Sequence, residues 1–318
     1  MHSGLAKSLK RLAPTLQLIA NPFQHPACKT YLQAALAKNT QRAYYSDLSH
    51  FQKWGGTFPA QSEQVALYLA YFAGKLAPTT LCRRLVAVGK AHTTQGFPNP
   101  CTTTVVKAML RGIRRVHGSA QKQVTPAIKE DLMEMVAGLT GLKGIRDRAL
   151  LLIGFAGAFR RSELISLNIE DLEFHSQGVI VYLRYSKTDQ EGTGRKVGIP
   201  HARGAICPVA ALKEWLEASK IDSGRIFRSI SRHGRIVGET LSPHAVSLIV
   251  KERAKAVGLD PTKYSGHSLR AGLVTSAAKA GVSSWKIRQQ TGHKSDAMLV
   301  RYIRDSQIFV DNAAGAIL

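Results

Sequence analysis

SGHSLRAGLVTSAAKAGVSSWKIRQQTGHKSDAMLVRYIRD, residues 265–305, decides how the rest of the chain is read. His267 and Arg270 stand at i and i+3, so a helix puts imidazole and guanidinium on one face, within reach of one phosphate. His293 follows a glycine, and nine positions later Tyr302 is flanked by Arg301 and Arg304. Each piece has an ordinary reading. A lone HxxR is a common accident, and a tyrosine near a chain end is more often a core residue than a nucleophile. The surrounding sequence weighs them together.

At 318 residues the chain is long enough for two ordinary domains, each with its own core. Apolar residues make up 44% and charged residues 20%, a globular profile. No run of 18 apolar residues occurs, so no membrane span is expected. The opening MHSGLAKSLKRLAPTLQLIANP has no continuous apolar h-region and no small-residue cleavage site, and does not read as a signal peptide. Cys28, Cys82, Cys101 and Cys207 are scattered without a CxxC pair. That argues against a disulfide framework and a cysteine zinc site, and fits a reducing, cytoplasmic compartment.

Charge is the loudest global signal. Lys and Arg number 44 against 21 Asp and Glu, a net +23. Such an excess predicts a polyanionic partner, because each neutralised phosphate releases condensed counterions. The excess is uneven: residues 1–120 hold 15 basic and 2 acidic side chains, and residues 121–318 hold 29 and 19. The first third reads as a binding module. The remainder reads as a domain that also does something else, and a ribosomal or chromatin-like protein is the bland alternative.

The N-terminal third is helical by periodicity. NTQRAYYSDLSHFQKW spaces Tyr44, Leu48 and Phe51 as a helix does, and SEQVALYLAYFAGKL offers Ser62 as N-cap. TTLCRRLVAVGKAHTTQG turns Leu81, Leu85 and Val88 inward and leaves Arg83, Arg84 and Lys90 for another face. TTTVVKAMLRGIRRVHG has an apolar stripe through Val106, Leu110 and Ile113, with Lys107, Arg111, Arg114 and Arg115 largely outside it. A basic face is usually only a solvated one. Several such faces in a segment with two acids, together with Arg42, favour phosphate contact. The polar stretch 117–128, HGSAQKQVTPAI, reads as a linker between a domain at 1–116 and a second at 129–318.

Beyond it, KEDLMEMVAGL and GIRDRALLLIGFAGAF read as helices, the second nearly all apolar and therefore deeply buried. VIVYLRYS, a turn at KTDQEGTG and RKVGIP read as a β-hairpin, after which helices resume. The fold class expected from pattern alone is mainly α, with a small β element in the second domain. Phosphate-loop motifs and HExxH are absent, and no convincing acid cluster for two Mg²⁺ ions can be assembled, so neither metal nor cofactor is expected. Phosphodiester chemistry without metals needs other positive charge at the transition state, which arginines supply. GAFRRSEL, residues 157–164, provides such arginines directly after the buried helix, although an arginine there also complements a helix end.

GAFRRSEL, then a lysine in a β-turn, then GHSLR, then GH, then a tyrosine nine residues on resembles the tyrosine recombinase (phage integrase) family in order, spacing and placement near the C-terminus. The resemblance covers nearly the whole chain. The stretch 265–305 looks closest to Cre-type members, and NTQRAYYSDLSHF and TTLCRRLVAVGKAH look like DNA-contacting helices of the family's N-terminal module. What the resemblance implies is a helical (SAM-like) core-binding domain followed by a mixed α/β catalytic domain with a small sheet. Arg160 and Arg270 are then the phosphate-clamping arginines, with Arg161 the competing candidate for the first. The family pattern places that arginine three residues before the glutamate, which selects Arg160 and leaves Glu163 in support. Lys187 matches the lysine that protonates the departing 5′ oxygen, with Lys196 in reserve. His267 binds the phosphate or manages the tyrosine proton, His293 bonds a phosphate oxygen or buttresses the pocket, and Tyr302 is the nucleophile. Ala271 stands where many integrases have a histidine, a departure shared by Cre-type members.

The implied activity is site-specific recombination of double-stranded DNA by a homotetramer, through a 3′-phosphotyrosyl link and a Holliday junction. Accessory proteins that set direction remain an open partner. A type IB topoisomerase, an inactive architectural DNA-binding protein and a metal-dependent nuclease are the competing readings. The tail 306–318, SQIFVDNAAGAIL in sequence, carries Ile308, Phe309 and Val310 on a piece too short to bury itself. Docking on its own domain is the plain expectation; the resemblance favours a neighbouring subunit.

Overall fold

The structure, a computed structural model, describes residues 31, 34–118, 123–184, 194–293, 295, 296, 299, 302 and 317. Lys187, Arg301, Arg304 and the tail apart from residue 317 lie outside the described residues. The chain divides into two units, Met1–Lys122 and Gln123–Leu318.

Among the described residues of the first unit, four helices, α1 (Lys38–Trp54), α2 (Ser62–Phe72), α3 (Pro78–Thr94) and α4 (Thr104–His117), enclose a core of Phe51, Val65, Tyr68, Leu69, Leu81 and Val106. Each such side chain contributes about 1.5–3 kcal/mol when fully buried. Pro78 starts α3, where its missing N–H has no helical acceptor to lose. Ser62 is the first helical residue rather than the cap: Gln61 holds the N-cap position, without a side-chain bond.

Arg84 departs from the sequence expectation and is corrected here. It lies within the core, 9% exposed, with Asp47 at 1%. Its Nη1 donates to the Tyr68 hydroxyl (2.8 Å), and its Nε is 3.5 Å from Asp47 Oδ1. The reason is that Arg84 follows Leu81 by three positions and precedes Val88 by four, which puts it on the apolar stripe. Asp47, one of the two acids of this third of the chain, supplies the charge that allows it there.

The second unit is built around α6 (Gly141–Ala156), whose Leu150, Leu151 and Ile153 are all buried. Packed on it are α5 (Lys129–Val136), α7 (Arg161–Ser166), α8 (Pro208–Ser219) and α10 (Gly266–Lys279). Among the described residues the remaining helices are α9 (Pro243–Ala256) and α11 (Ser284–Thr291). The expected hairpin is a three-stranded antiparallel sheet in the order β1 (Leu172–His175), β2 (Gly178–Leu183), β3 (Arg195–Pro200). Val181 pairs with Leu172 on one side and Val197 on the other. Two-residue strands β4 (Ser229–Ile230) and β5 (Ile236–Val237) form a second, small sheet. The fold is mostly helical with a small antiparallel sheet.

The stretch read as linker divides. His117 still belongs to α4, whereas 123–128 run along the second unit. There Thr125 N–H donates to the Lys263 carbonyl and Ala127 N–H to that of Ser268, and Ala127 is fully buried. Gly272 on α10 makes room: a Cβ there would lie 1.7 Å from the Ala127 oxygen.

Candidate active site

The turn that ends α6 positions the first arginine. Ala158 adopts a left-handed conformation (φ 48°), which costs a non-glycine residue of order 1–3 kcal/mol. It reverses the chain so that Phe159 is buried and Arg160 emerges at the N-cap of α7. Glu163 then accepts both from the Arg160 backbone N–H (2.9 Å) and from its Nη1 (2.5 Å). Glu163 is 2% exposed, so its carboxylate is a fixed support for the guanidinium. Arg161 turns the other way and donates to Ser247 Oγ (2.9 Å), leaving Arg160 as the arginine of the cluster.

Arg270 arrives from α10, whose N-terminus is capped by Ser265. It is 2% exposed, and its Nη1 donates to the strained Ala158 carbonyl (2.7 Å). Its Nη2 is 3.1 Å from His293 Nε2, and since a guanidinium only donates, that nitrogen must be unprotonated. The proton therefore sits on Nδ1, which donates to Thr291 Oγ1 (2.7 Å), and Thr291 donates onward to the Ile287 carbonyl (2.8 Å). The left-handed Gly292 (φ 67°) makes the turn between them. In this tautomer His293 braces Arg270 and has no free donor for a phosphate.

Electrostatics agree with that proton count. Burial, followed by the charges of Arg270 and Arg160, lowers the His293 pKa to about 3. Burial and the same arginines, Arg270 first, also hold His267 below its ordinary value of 6.5. Both histidines are neutral at pH 7. Burial lowers Arg270 to about 10, with Arg160 adding to the shift, which leaves it charged. His267 Nε2 lies 3.3 Å from the Tyr302 hydroxyl, whose ring packs on the cluster of Val274, Ala278, Ile287 and Leu299. A neutral imidazole beside a phenol can accept its proton, and guanidinium groups beside both stabilise the anion that forms.

Arg160–Glu163, Arg270–His293 and His267–Tyr302 thus form three contacting pairs, close enough that the charges of Arg160 and Arg270 act on both histidines. Lys187 falls outside the described residues. Lys196, the reserve, is exposed on β3 with its ammonium over the Tyr182 ring, 5.0 Å from the centroid. Of the expected DNA-contacting residues, Arg42, Lys90, Lys107, Arg111, Arg114 and Arg115 are exposed. Arg83 is half exposed and forks onto Asp47 (both contacts 2.8 Å), and Arg84 is buried as described. Thr291 and Arg195, which also touch the cluster, were not evident from the sequence. Thr-Gly-His was the signal for the first; nothing but a cation opening the strand after the hairpin marked the second. Among the described residues no helix is long and apolar enough to cross a membrane, and no group of His, Cys, Asp or Glu could hold a metal ion.

The profile of the phage integrase family matches residues 122–307. An integrase/recombinase xerD homolog of Selenomonas ruminantium is 42% identical over 297 residues, spanning 90% of this chain and 87% of the relative. The Cre recombinase of Escherichia phage P1 is 23% identical, spanning 84% and 80%. In fold, the chain is similar to the XerH recombinase in a post-cleavage complex with its difH substrate, with a TM-score of 0.62 and 18% identity over 86% of this chain and 78% of that one. It is similar also to lambda integrase bound to a core site, with a TM-score of 0.61 and 18% identity over 87% and 75%. With its site geometry, this chain belongs to the phage integrase family and is a tyrosine recombinase, an enzyme that cleaves and rejoins DNA.

Proposed function

We propose that Tyr302 is the nucleophile of a site-specific recombination reaction on double-stranded DNA. The observation that carries this is the Tyr302 hydroxyl 3.3 Å from His267, within a cluster that also holds Arg160 and Arg270. A free phenol has a pKa of about 10, so only about one in a thousand is ionised at pH 7. His267 takes the proton as the phenolic oxygen attacks phosphorus, the bond to the 5′ oxygen breaks, and a 3′-phosphotyrosyl link remains. The 5′ oxygen leaves with a proton from Lys187. Arg160 and Arg270 hold the nonbridging oxygens, each kept in register by its own support, Glu163 for the first and His293 for the second.

The phosphotyrosyl link keeps the energy of the broken strand, so the 5′-hydroxyl of another duplex reverses the step without a cofactor. Repeated on both strands through a Holliday junction, this joins two sites, with one protomer of a tetramer on each half-site. The relatives support this over a type IB topoisomerase or an inactive architectural protein, being recombinases and integrases. The reaction then belongs where a bacterial or phage chromosome lies, in the cytosol or nucleoid. The test is a plasmid carrying two copies of a site selected by the protein's own binding. Joined products that pass through a branched intermediate are expected; relaxation of supercoils without joining would contradict the assignment.

A further inference from the structure

The cluster contains a third guanidinium that the reaction above does not use. Arg195 opens β3 and lies beneath the site. Its Nη1 donates to the Gln290 carbonyl (2.8 Å), and its Nη2 is 3.8 Å from Glu163 Oε2. Its Nε and Nη2 are buried and find no hydrogen-bond partner among the described residues. Gly292 closes over it, since a Cβ at that position would stand 3.0 Å from Nε. A buried donor left unpaired costs about 1–3 kcal/mol, and more when charged. A methionine here would avoid that cost, and packing alone gives no reason for the charge.

Counting charges gives one. Both histidines are neutral, so among the described residues Arg160 and Arg270 against Glu163 leave one net positive charge, which matches a phosphodiester in its ground state. Attack by Tyr302 turns that group into five-coordinate phosphorus with two negative charges. The proton that His267 takes and the ammonium of Lys187 answer charge at the attacking and leaving oxygens, whereas Arg195 adds a fixed positive charge behind the Glu163–Arg160 pair that needs no proton to move.

We infer that Arg195 is a positioning residue that joins the Glu163–Arg160 pair to the Gly292–His293 turn and sets the field of the site to the doubly charged transition state. The inference rests on the assignment of Tyr302 and the two arginines above. A charge that favours the transition state over the bound substrate accelerates cleavage without tightening DNA binding. A merely structural arginine would not distinguish between substrates of different charge.

That distinction is measurable in the full-length protein. Single-turnover cleavage is followed on nicked half-site duplexes with either a phosphodiester or a neutral methylphosphonate at the scissile position. Arg195→Gln is run beside wild type, Arg195→Lys and Arg195→Met, the last keeping the comparison open if glutamine compromises folding. Tyr302→Phe is the separate control, and if wild type does not depend on Tyr302, the nucleophile assignment fails whatever Arg195 does. The expected loss for the uncharged variants on phosphodiester is roughly 10- to 100-fold, with DNA affinity unchanged. On methylphosphonate the loss shrinks to about threefold or less, because that transition state carries one charge fewer. Arg195→Lys recovers part of the phosphodiester rate. Equal loss on both substrates, or none on the phosphodiester, overturns the inference.

Discussion

His293 shows how much one side chain can decide here. Its neutral state is imposed by burial and by Arg270 and Arg160, and its Nε2 lone pair holds Arg270 in place. The pKa falls from 6.5 in the unfolded chain to about 3 in the folded one. The unfolded state therefore binds a proton as pH drops below 6.5, and the folded state does so only near 3. The stabilising contribution is complete above 6.5 and is lost as pH falls toward 3, at up to about 1.4 kcal/mol per pH unit. Thermal melting between pH 7 and 4 should fall less steeply in His293→Gln than in wild type; parallel curves would contradict the neutral assignment. Arg160, Arg270 and Tyr302 could be proposed from the sequence because each belongs to a short local motif. Thr291 and Arg195 could not, because their roles depend on partners from distant elements, and so does the buried pairing of Arg84 with Asp47, which comes from another helix.

At the scale of elements, α3 has two faces of opposite use. Asp47→Ala leaves the buried Arg84 without a carboxylate, so the first unit should lose roughly 3–5 kcal/mol. Lys90→Ala on the exposed face should change stability by less than about 0.5 kcal/mol. It should also reduce the salt slope of DNA binding by about one if Lys90 meets a phosphate. Hydrogen-exchange protection of α1 and α3, with binding titrated across salt concentrations, reads both; comparable destabilisation by the two variants would contradict the division of faces. The long helices were readable from apolar spacing, α6 from its near-continuous apolar run. Strand β1 was not, since its four residues are half-buried or exposed and show no alternation. Residues 123–128 looked like linker by composition, but Ala127 is held against α10 by a gap that only Gly272 leaves.

For the whole molecule, the net +23 favours a DNA partner, and we propose that the apolar tail links neighbouring copies of the protein. Deleting residues 308–318 should abolish synapsis of two sites while leaving half-site binding intact, as read by gel mobility; unchanged recombination by the truncated chain would sink that role. The central claim is that Tyr302 attacks DNA. Its most direct test is covalent trapping on nicked half-sites in excess EDTA, resolved on a denaturing gel, with wild type beside Tyr302→Phe. A DNA-linked protein band present for wild type and absent for the variant is the predicted result. No adduct on DNA that the wild-type protein demonstrably binds, or an adduct that survives Tyr302→Phe, would contradict it.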